Sequence, residues 1–217
     1  MRIDAQHSYS DRHPLDYLEH ILKRNRFDGS VLLTSEIPAI LPDYVRAVIV
    51  RVDRIDPRRL DEWQLHPRFR GVACSLPADN LEELQGRRLT LDVTAGAEHI
   101  SGVLARFPEL KICVPLPLLT ADAPDGVYIK LVALRSLSHP PAQVREALTR
   151  NGPARLMFAS NWPDELPEIT WKAALAMFTQ SIGAQPIEVR EQLLGGTARE
   201  FYGIEAPPTT PPTTPER

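Results

Sequence analysis

The sequence predicts an α/β fold, a compact (β/α)8 barrel of the TIM type, on three observations. Short apolar runs rich in β-branched residues recur along the chain, as in residues 45–52. Segments with helical spacing of apolar residues separate most of these runs, and parallel strands joined by helices build α/β folds. The number of runs, about eight, is the strand number of a closed barrel. Periodicity alone leaves a doubly wound open sheet almost equally favoured.

The elements follow one another in a regular order. Apolar, β-rich runs predict strands at residues 3–8, 31–33, 45–52, 70–76, 89–93, 112–116, 127–134 and 156–159. Apolar residues at helical spacing predict helices at residues 14–22, 58–65, 80–84, 98–107, 141–150, 171–182 and 187–194. Pro14 suits the first turn of its helix, and Gly195-Gly196 is the pattern of a helix end.

Between the second and third strands the chain is short. Residues 36–43 leave room for only a stub of helix. We therefore expect the barrel to be distorted or partly open on this side, or to use it as an oligomer contact.

Composition limits the class of protein. The chain has 217 residues, 43% of them hydrophobic, which suffices for one core and predicts a single domain over residues 1–205. Residues 206–217 are rich in Pro and Thr and predict a disordered tail. A net charge of −3 gives no long-range attraction to nucleic acid or membranes. Cys74 and Cys113 lie in apolar runs, so we expect free thiols and, with no signal peptide, a cytoplasmic location.

Several segments resemble the amidohydrolase-related (amidohydrolase 2) family, in the order in which the family has them. The resemblance is carried by Ile3-Asp4-Ala5-Gln6-His7-Ser8, His66-Pro67 with Phe69-Arg70-Gly71-Val72, Phe107-Pro108-Glu109-Leu110-Lys111-Ile112, Val127-Tyr128-Ile129-Lys130-Leu131, Ser160-Asn161-Trp162-Pro163 and Leu193 to Gly203. It implies a barrel whose active site lies at the carboxyl ends of the strands. This implication favours the closed barrel over the open sheet.

The family's metal ligands are replaced in this sequence. The resemblance implies His at positions 6 and 8 on the first strand, His near Leu116 and Asp at position 161, where this chain has Gln6, Ser8, Leu116 and Asn161. Amides bind transition metals poorly compared with imidazole and carboxylate. We expect these four residues to line the pocket, and we expect neither a metal nor another cofactor there.

Three residues remain as catalytic candidates. Asp92, near the end of the fifth strand, is a candidate general base, and Lys130 on the seventh is a candidate carboxylate anchor or nucleophile. Lys130 has the alternative of an ion pair with a carboxylate such as Asp4 or Asp92. His7 is the third candidate, although alternation along the strand points it away from Gln6 and Ser8. Other pocket candidates follow: Asp4, Cys74 and Trp162.

These observations predict a family member that has lost the metal site and binds a small molecule or a partner with little hydrolysis. The alternative is a metal-independent lactonase, lyase or decarboxylase that acts on a small carboxylate substrate. We also expect a homo-oligomer or pairing with an intact homologue, which rests on analogy between folds.

Overall fold

The computed structural model describes residues 1–119, 123–166 and 168–205, so the predicted tail lies outside the described residues. Within them, eight parallel strands form one sheet in sequence order, which confirms the predicted (β/α)8 barrel. The strands are β1 Ile3–His7, β2 Gly29–Thr34, β3 Val45–Arg51, β4 Phe69–Ser75, β5 Thr90–Ala95, β6 Ile112–Pro115, β7 Tyr128–Leu131 and β8 Leu156–Phe158.

The helices lie between most consecutive strands and after the last one. They are α1 Leu15–Arg24, α2 Pro57–Gln64, α3 Leu81–Gly86, α4 Ile100–Arg106, α5 Pro140–Asn151, α6 Trp171–Ile182, α7 Ile187–Glu191 and α8 Thr197–Tyr202. In the described ranges none of them combines the length and the apolar character needed to cross a membrane.

The barrel closes where β1 meets the chain that follows β8. The amide of Asn161 donates to the carbonyl of Gln6 at 3.1 Å, and the amide of Ser8 donates to the carbonyl of Trp162 at 2.8 Å. These bonds lie just beyond the end of β8, so the barrel is nearly closed, and its seam is irregular.

The connection between β2 and β3 contains no helix at residues 35–44, so even the stub of helix expected there is absent. The two strands nevertheless pair from Ser30 to Thr34 of β2, with one register shift at the start. The shortened connection therefore does not open the barrel at this point. Instead the distortion lies in the register shifts and at the seam.

Apolar side chains form two layers, one on each side of the sheet. The outer layer packs the strands against the surrounding helices and includes Leu32, Val48 and Phe158. The inner layer fills the barrel and includes residues of α8, among them Phe201 and Tyr202. The ring of Phe201 packs 4.7 Å from that of Tyr128, at the start of β7, so α8 closes the amino-terminal end of the barrel.

Gly195 has non-helical dihedrals, so the helix predicted at residues 187–194 ends there as expected, although the next helix follows without a loop. Gly195 lies in a kinked segment, Gln192–Gly196, that joins α7 directly to α8. A Cβ atom at Gly195 would lie 2.5 Å from the carbonyl oxygen of Met1 and 2.8 Å from the Cα of Arg2. The glycine is needed because the closing segment passes directly against the backbone at the start of β1.

This close approach makes Gly195 sensitive to a single methyl group. We expect Gly195→Ala to lower the free energy of unfolding by about 1–3 kcal/mol, because backbone must move to admit the Cβ. The matched control is Gly102→Ala in α4, where a Cβ would meet no atom within 4 Å. There alanine should raise stability by up to about 1 kcal/mol. Urea unfolding of both variants measures the difference, and equal stabilities would contradict the packing described.

Candidate ligand site at the barrel mouth

A cavity of about 370 Å³ opens at the carboxyl ends of the strands. Its wall is largely apolar and its polar groups come from different strands, as is usual for small-molecule sites. Its lining includes Gln6, Leu33, Arg51, Ala73, Asp92, Val93, Thr94, Cys113, Pro115, Pro117, Leu118, Lys130, Val132, Ala133, Ser136, Asn161 and Asp164.

The floor of the cavity carries a buried ion pair. The Nζ of Lys130 lies 2.5 Å from Oδ2 of Asp92, and the two side chains are 2% and 7% exposed. The hydroxyl of Tyr202 donates to the same carboxylate, 2.9 Å from Oδ2. Burial and the charge of Asp92 raise the pKa of Tyr202, so this hydroxyl keeps its proton and acts as a donor. Asp92 is thus the partner of Lys130, one of the two carboxylates that the sequence offered.

A chain of polar contacts continues from Lys130 across the barrel. Lys130 donates to Oε1 of Gln6 at 3.0 Å, and Nε2 of Gln6 donates to Oδ1 of Asn161 at 2.7 Å. Nδ2 of Asn161 then donates to Oε1 of Glu165 at 3.4 Å. Burial raises the pKa of Glu165, which is half-buried. The amides at positions 6 and 161 are therefore bonded to each other, and Gln6 joins them to the ammonium of Lys130.

The backbone explains why these two amides meet. Between the pairs Asp4–Ser30 and His7–Leu32, β1 advances three residues while β2 advances two, so β1 contains a bulge. Ala5 packs in the inner layer, while Gln6, the next residue, lines the cavity. Asn161 has φ +54°, a left-handed conformation that Asn and Asp adopt more readily than most residues.

The rim of the cavity carries charges as well. Arg51, at the end of β3, is exposed, and no ion pair to it is found in the described part of the chain. Asp164 accepts a hydrogen bond from Oγ of Ser8 at 2.6 Å. Ser8 therefore reaches the site through Asp164.

The remaining candidates from the sequence lie outside the cavity lining. His7 is fully buried on the outer side of β1, with Nδ1 3.0 Å from the carbonyl of Val31 and its ring 5.9 Å from that of Tyr44. Burial lowers the pKa of His7 to about 3, so its imidazole is neutral at pH 7. Cys74 and Leu116 pack in the outer apolar layer.

Asp4 and Trp162 also make contacts outside the cavity. Asp4 accepts from the amide of Ser160 at 2.8 Å and from Nε1 of Trp171 at 2.7 Å. Burial raises the pKa of this carboxyl. Trp162 stacks on Tyr17 with ring centroids 6.2 Å apart. Both residues hold the seam beside the cavity and do not line it.

The residues at or beside the site that were not identified from the sequence include Arg51, Thr94, Cys113, Asp164, Glu165 and Tyr202. Arg51 lies one residue before the end of the strand predicted at residues 45–52, and this position could have indicated the site because strand ends face the mouth. Tyr202 had no such signal, since it reaches Asp92 from a helix at the opposite end of the barrel.

The fold and the position of this cavity define a (β/α)8 barrel protein with a candidate ligand site at the strand ends. The family model described as Amidohydrolase matches residues 14–204, so the chain belongs to the amidohydrolase family. No curated protein is similar enough to the sequence to count as a match.

Solved structures share this fold at low identity. An amidohydrolase from Burkholderia multivorans with bound zinc is 18% identical, with a TM-score of 0.77 over 94% of this chain and 100% of that one. A candidate 2-pyrone-4,6-dicarboxylic acid hydrolase from Pseudomonas putida is 19% identical, with a TM-score of 0.75 over 95% and 98%. The 5-carboxyvanillate decarboxylase from Sphingomonas paucimobilis is 12% identical, with a TM-score of 0.67 over 94% and 99%. Identities this low establish a shared fold.

The side chains at the mouth do not fit the divalent metal that such relatives imply. In the described ranges, no three His, Cys, Asp or Glu side chains are grouped so that they could hold a metal ion. The carboxylate on the floor, Asp92, already accepts from Lys130 and Tyr202. Beside Asp92 on the floor are the amides of Gln6 and Asn161 and the ammonium of Lys130, and an ammonium cannot be a ligand while it is protonated. Asp164, the carboxylate at the rim, accepts from Ser8.

The burial of His7 gives a pH dependence of stability. Its folded pKa of about 3 lies below the ordinary value of 6.5, so below pH 6.5 the unfolded chain binds a proton that the folded chain does not. Stability is therefore lost as the pH falls from 6.5 toward 3. Between pH 6.5 and 5, wild type should lose about 2 kcal/mol more than His7→Gln.

Urea unfolding at the two pH values measures this loss. The control is His20→Gln, a substitution at an exposed position of α1, which should lose as much stability as wild type. An equal loss in all three proteins would show that His7 is not buried in the neutral form.

Proposed function

We propose that this chain is a metal-independent member of the amidohydrolase family that binds a small molecule at the barrel mouth, with little hydrolase activity. The observation that carries the proposal is the bonding of the two amides at family ligand positions. Gln6 accepts from the ammonium of Lys130 and donates to Asn161, so the two amides are bonded to each other. Gln6, Lys130 and Asn161 also line the cavity at the mouth, so these bonded groups form part of its wall.

The cavity has the size and surface of a small-molecule site. Its volume of about 370 Å³ is in the range of ligand pockets, and the apolar part of the wall offers surface to an organic ligand. Arg51 at the rim supplies a charge that an acidic ligand would meet. The Burkholderia amidohydrolase has bound zinc, and its sequence is 18% identical to this chain. At this identity the residues of the two sites can differ.

Metal content and ligand binding test the proposal together. Protein purified from zinc- and manganese-supplemented cultures should contain less than about 0.1 metal ion per chain by elemental analysis, since its donor set suits neither ion. A fragment library of small organic acids, amides and amines should contain compounds that raise the melting temperature equally with and without EDTA.

The control for this screen fills the cavity. Thr94 lies on its lining and is exposed, so Thr94→Trp should block the cavity and abolish the ligand-induced rise in melting temperature. Thr179→Trp, at an exposed position of α6, should leave that rise unchanged. Stoichiometric zinc, or ligand-induced stabilisation that survives Thr94→Trp, would overturn the proposal.

A metal-independent lyase or hydrolase acting on a small carboxylate is the second candidate function. The observation that favours it is the buried pair of Lys130 and Asp92 on the cavity floor, which is a proton donor beside a proton acceptor. For this function, decarboxylation or lactone hydrolysis must continue in EDTA and disappear in both Lys130→Met and Asp92→Asn. Turnover that requires added metal, or that persists in either variant, would eliminate it.

A further inference from the structure

Lys130 has surroundings that the other lysines of the chain lack. Of the four lysines in the sequence, Lys23, Lys111 and Lys172 are exposed at the surface. The side chain of Lys130 is 2% exposed, and it lines the cavity at the barrel mouth. A molecule that enters the cavity therefore meets the nitrogen of Lys130 away from bulk water, where interactions between charges are stronger than in solvent.

A proton acceptor lies beside this nitrogen. Oδ2 of Asp92 is 2.5 Å from Nζ of Lys130. An ammonium has no lone pair, so it becomes a nucleophile only after it has lost a proton. The carboxylate of Asp92 is close enough to take that proton directly and to return it at a later step. Burial distinguishes this pair from the surface pair of Lys23 and Glu19, whose charged atoms are 2.7 Å apart and whose side chains are 72% and 39% exposed.

We infer that Lys130 forms an imine with a small aldehyde or ketone in the cavity, and that Asp92 carries the proton that this reaction moves. Lysine amines in desolvated pockets form such bonds with carbonyl compounds. The inference rests on the proposed function, because it names the chemical class of the small molecule and the bond that holds it.

The bond changes balance without any other reactant. The ammonium of Lys130 gives one proton to the carboxylate of Asp92 and becomes an amine. Its lone pair bonds to the carbonyl carbon, the electron pair of the C=O double bond moves to the oxygen, and that oxygen takes a second proton from the nitrogen. Asp92 then protonates the resulting hydroxyl group, the C–O bond breaks, and water leaves as the nitrogen lone pair completes the C=N bond. One carbonyl compound is consumed, one water is released, and nothing is oxidised or reduced.

The charges on the cavity floor are the same before and after this reaction. An ammonium faces Asp92 at the start, and a protonated imine faces it at the end. Since an unpaired charge is costly in an apolar interior, the carboxylate stabilises the product in the way it stabilises the free lysine. The hydroxyl of Tyr202 donates to Asp92 at 2.9 Å and keeps the carboxylate in place between the proton transfers.

The rest of the cavity favours a compound whose carbon skeleton is apolar. Leu33, Val93 and Val132 contribute to the wall, and the volume of about 370 Å³ admits a small molecule. Contacts with this wall hold the carbonyl group near Nζ of Lys130, which raises its effective concentration at the nitrogen. Binding and bond formation therefore use different parts of the same cavity.

Reductive trapping tests the imine. Wild-type protein is incubated near pH 7 with cyclohexanone or with benzaldehyde, and sodium cyanoborohydride reduces any imine to a stable secondary amine. Peptide mass mapping should place the added group on Lys130 at a rate at least about tenfold above that on Lys23, Lys111 or Lys172, because the cavity and the buried carboxylate assist only Lys130.

Variants assign the reaction to the cavity floor. Lys130→Arg keeps a cation beside Asp92 but has no amine, so the fast phase of label uptake by the intact protein should disappear. Asp92→Asn keeps the shape but cannot carry the proton, so labelling of Lys130 should slow by about tenfold or more. Thr94→Trp, which fills the cavity and retains both residues of the pair, should reduce labelling to the rate of the exposed lysines, whereas Thr179→Trp should leave it unchanged. Thermal unfolding of each variant confirms that it is folded at the temperature of labelling.

The outcomes separate this inference from the proposed function. If neither probe labels Lys130 faster than Lys23, the imine is overturned, as it is by fast labelling that persists in Thr94→Trp or is unchanged in Asp92→Asn. The fragment screen contains no aldehyde or ketone, so fragments that stabilise the chain, together with slow labelling, overturn the imine and leave small-molecule binding standing. Fast labelling of Lys130 in a chain that contains stoichiometric zinc does the reverse, since it supports the imine and overturns metal independence.

Discussion

The buried ion pair of Lys130 and Asp92 is the interaction on which the inside of this barrel depends. A lone charge at either position would be costly in an apolar interior, and removing one partner of a buried pair commonly costs about 3–5 kcal/mol. The pair also links the two ends of the barrel. Tyr202 reaches Asp92 from the helix that closes one end, and Gln6 reaches Lys130 from the mouth at the other. The same charges therefore hold the closing helix and arrange the cavity floor.

The requirements of the fold are separate from the choice of side chains at its mouth. The strands need apolar residues on both faces and a polar mouth, and neither requirement specifies a metal. In this chain Lys130 links the polar residues of the floor, joining Asp92 on one side and, through Gln6, Asn161 on the other. Membership of the amidohydrolase family and the chemistry of the mouth are separate properties, and different residues determine each of them.

Much of the fold could be predicted from the sequence because it follows from local patterns. The run Leu156-Met157-Phe158 is short and apolar after a turn, and it is β8; the helix predicted at residues 171–182 is α6 within the same bounds. The pairing of Lys130 with a carboxylate was predicted with its partner left open between Asp4 and Asp92. The bulge in β1 and the approach of Tyr202 could not be predicted, since both depend on contacts between residues far apart in the chain. For the same reason the sequence predicted the helix end at Gly195 but not the direct start of α8 after the kink.

The first strand explains why sequence position alone is a poor guide to the site. Four successive residues, Asp4 to His7, divide between two environments because of one extra residue in the ladder. Asp4 ties the seam to α6 through Trp171, and His7 bonds the carbonyl of Val31 on the outer side, so both polar groups are used to hold the barrel together. Gln6 alone of the polar three lines the cavity. Of the titratable residues of this strand, Asp4 thus stabilises the seam and His7 the contact with β2, and a neutral amide is what the strand contributes to the mouth.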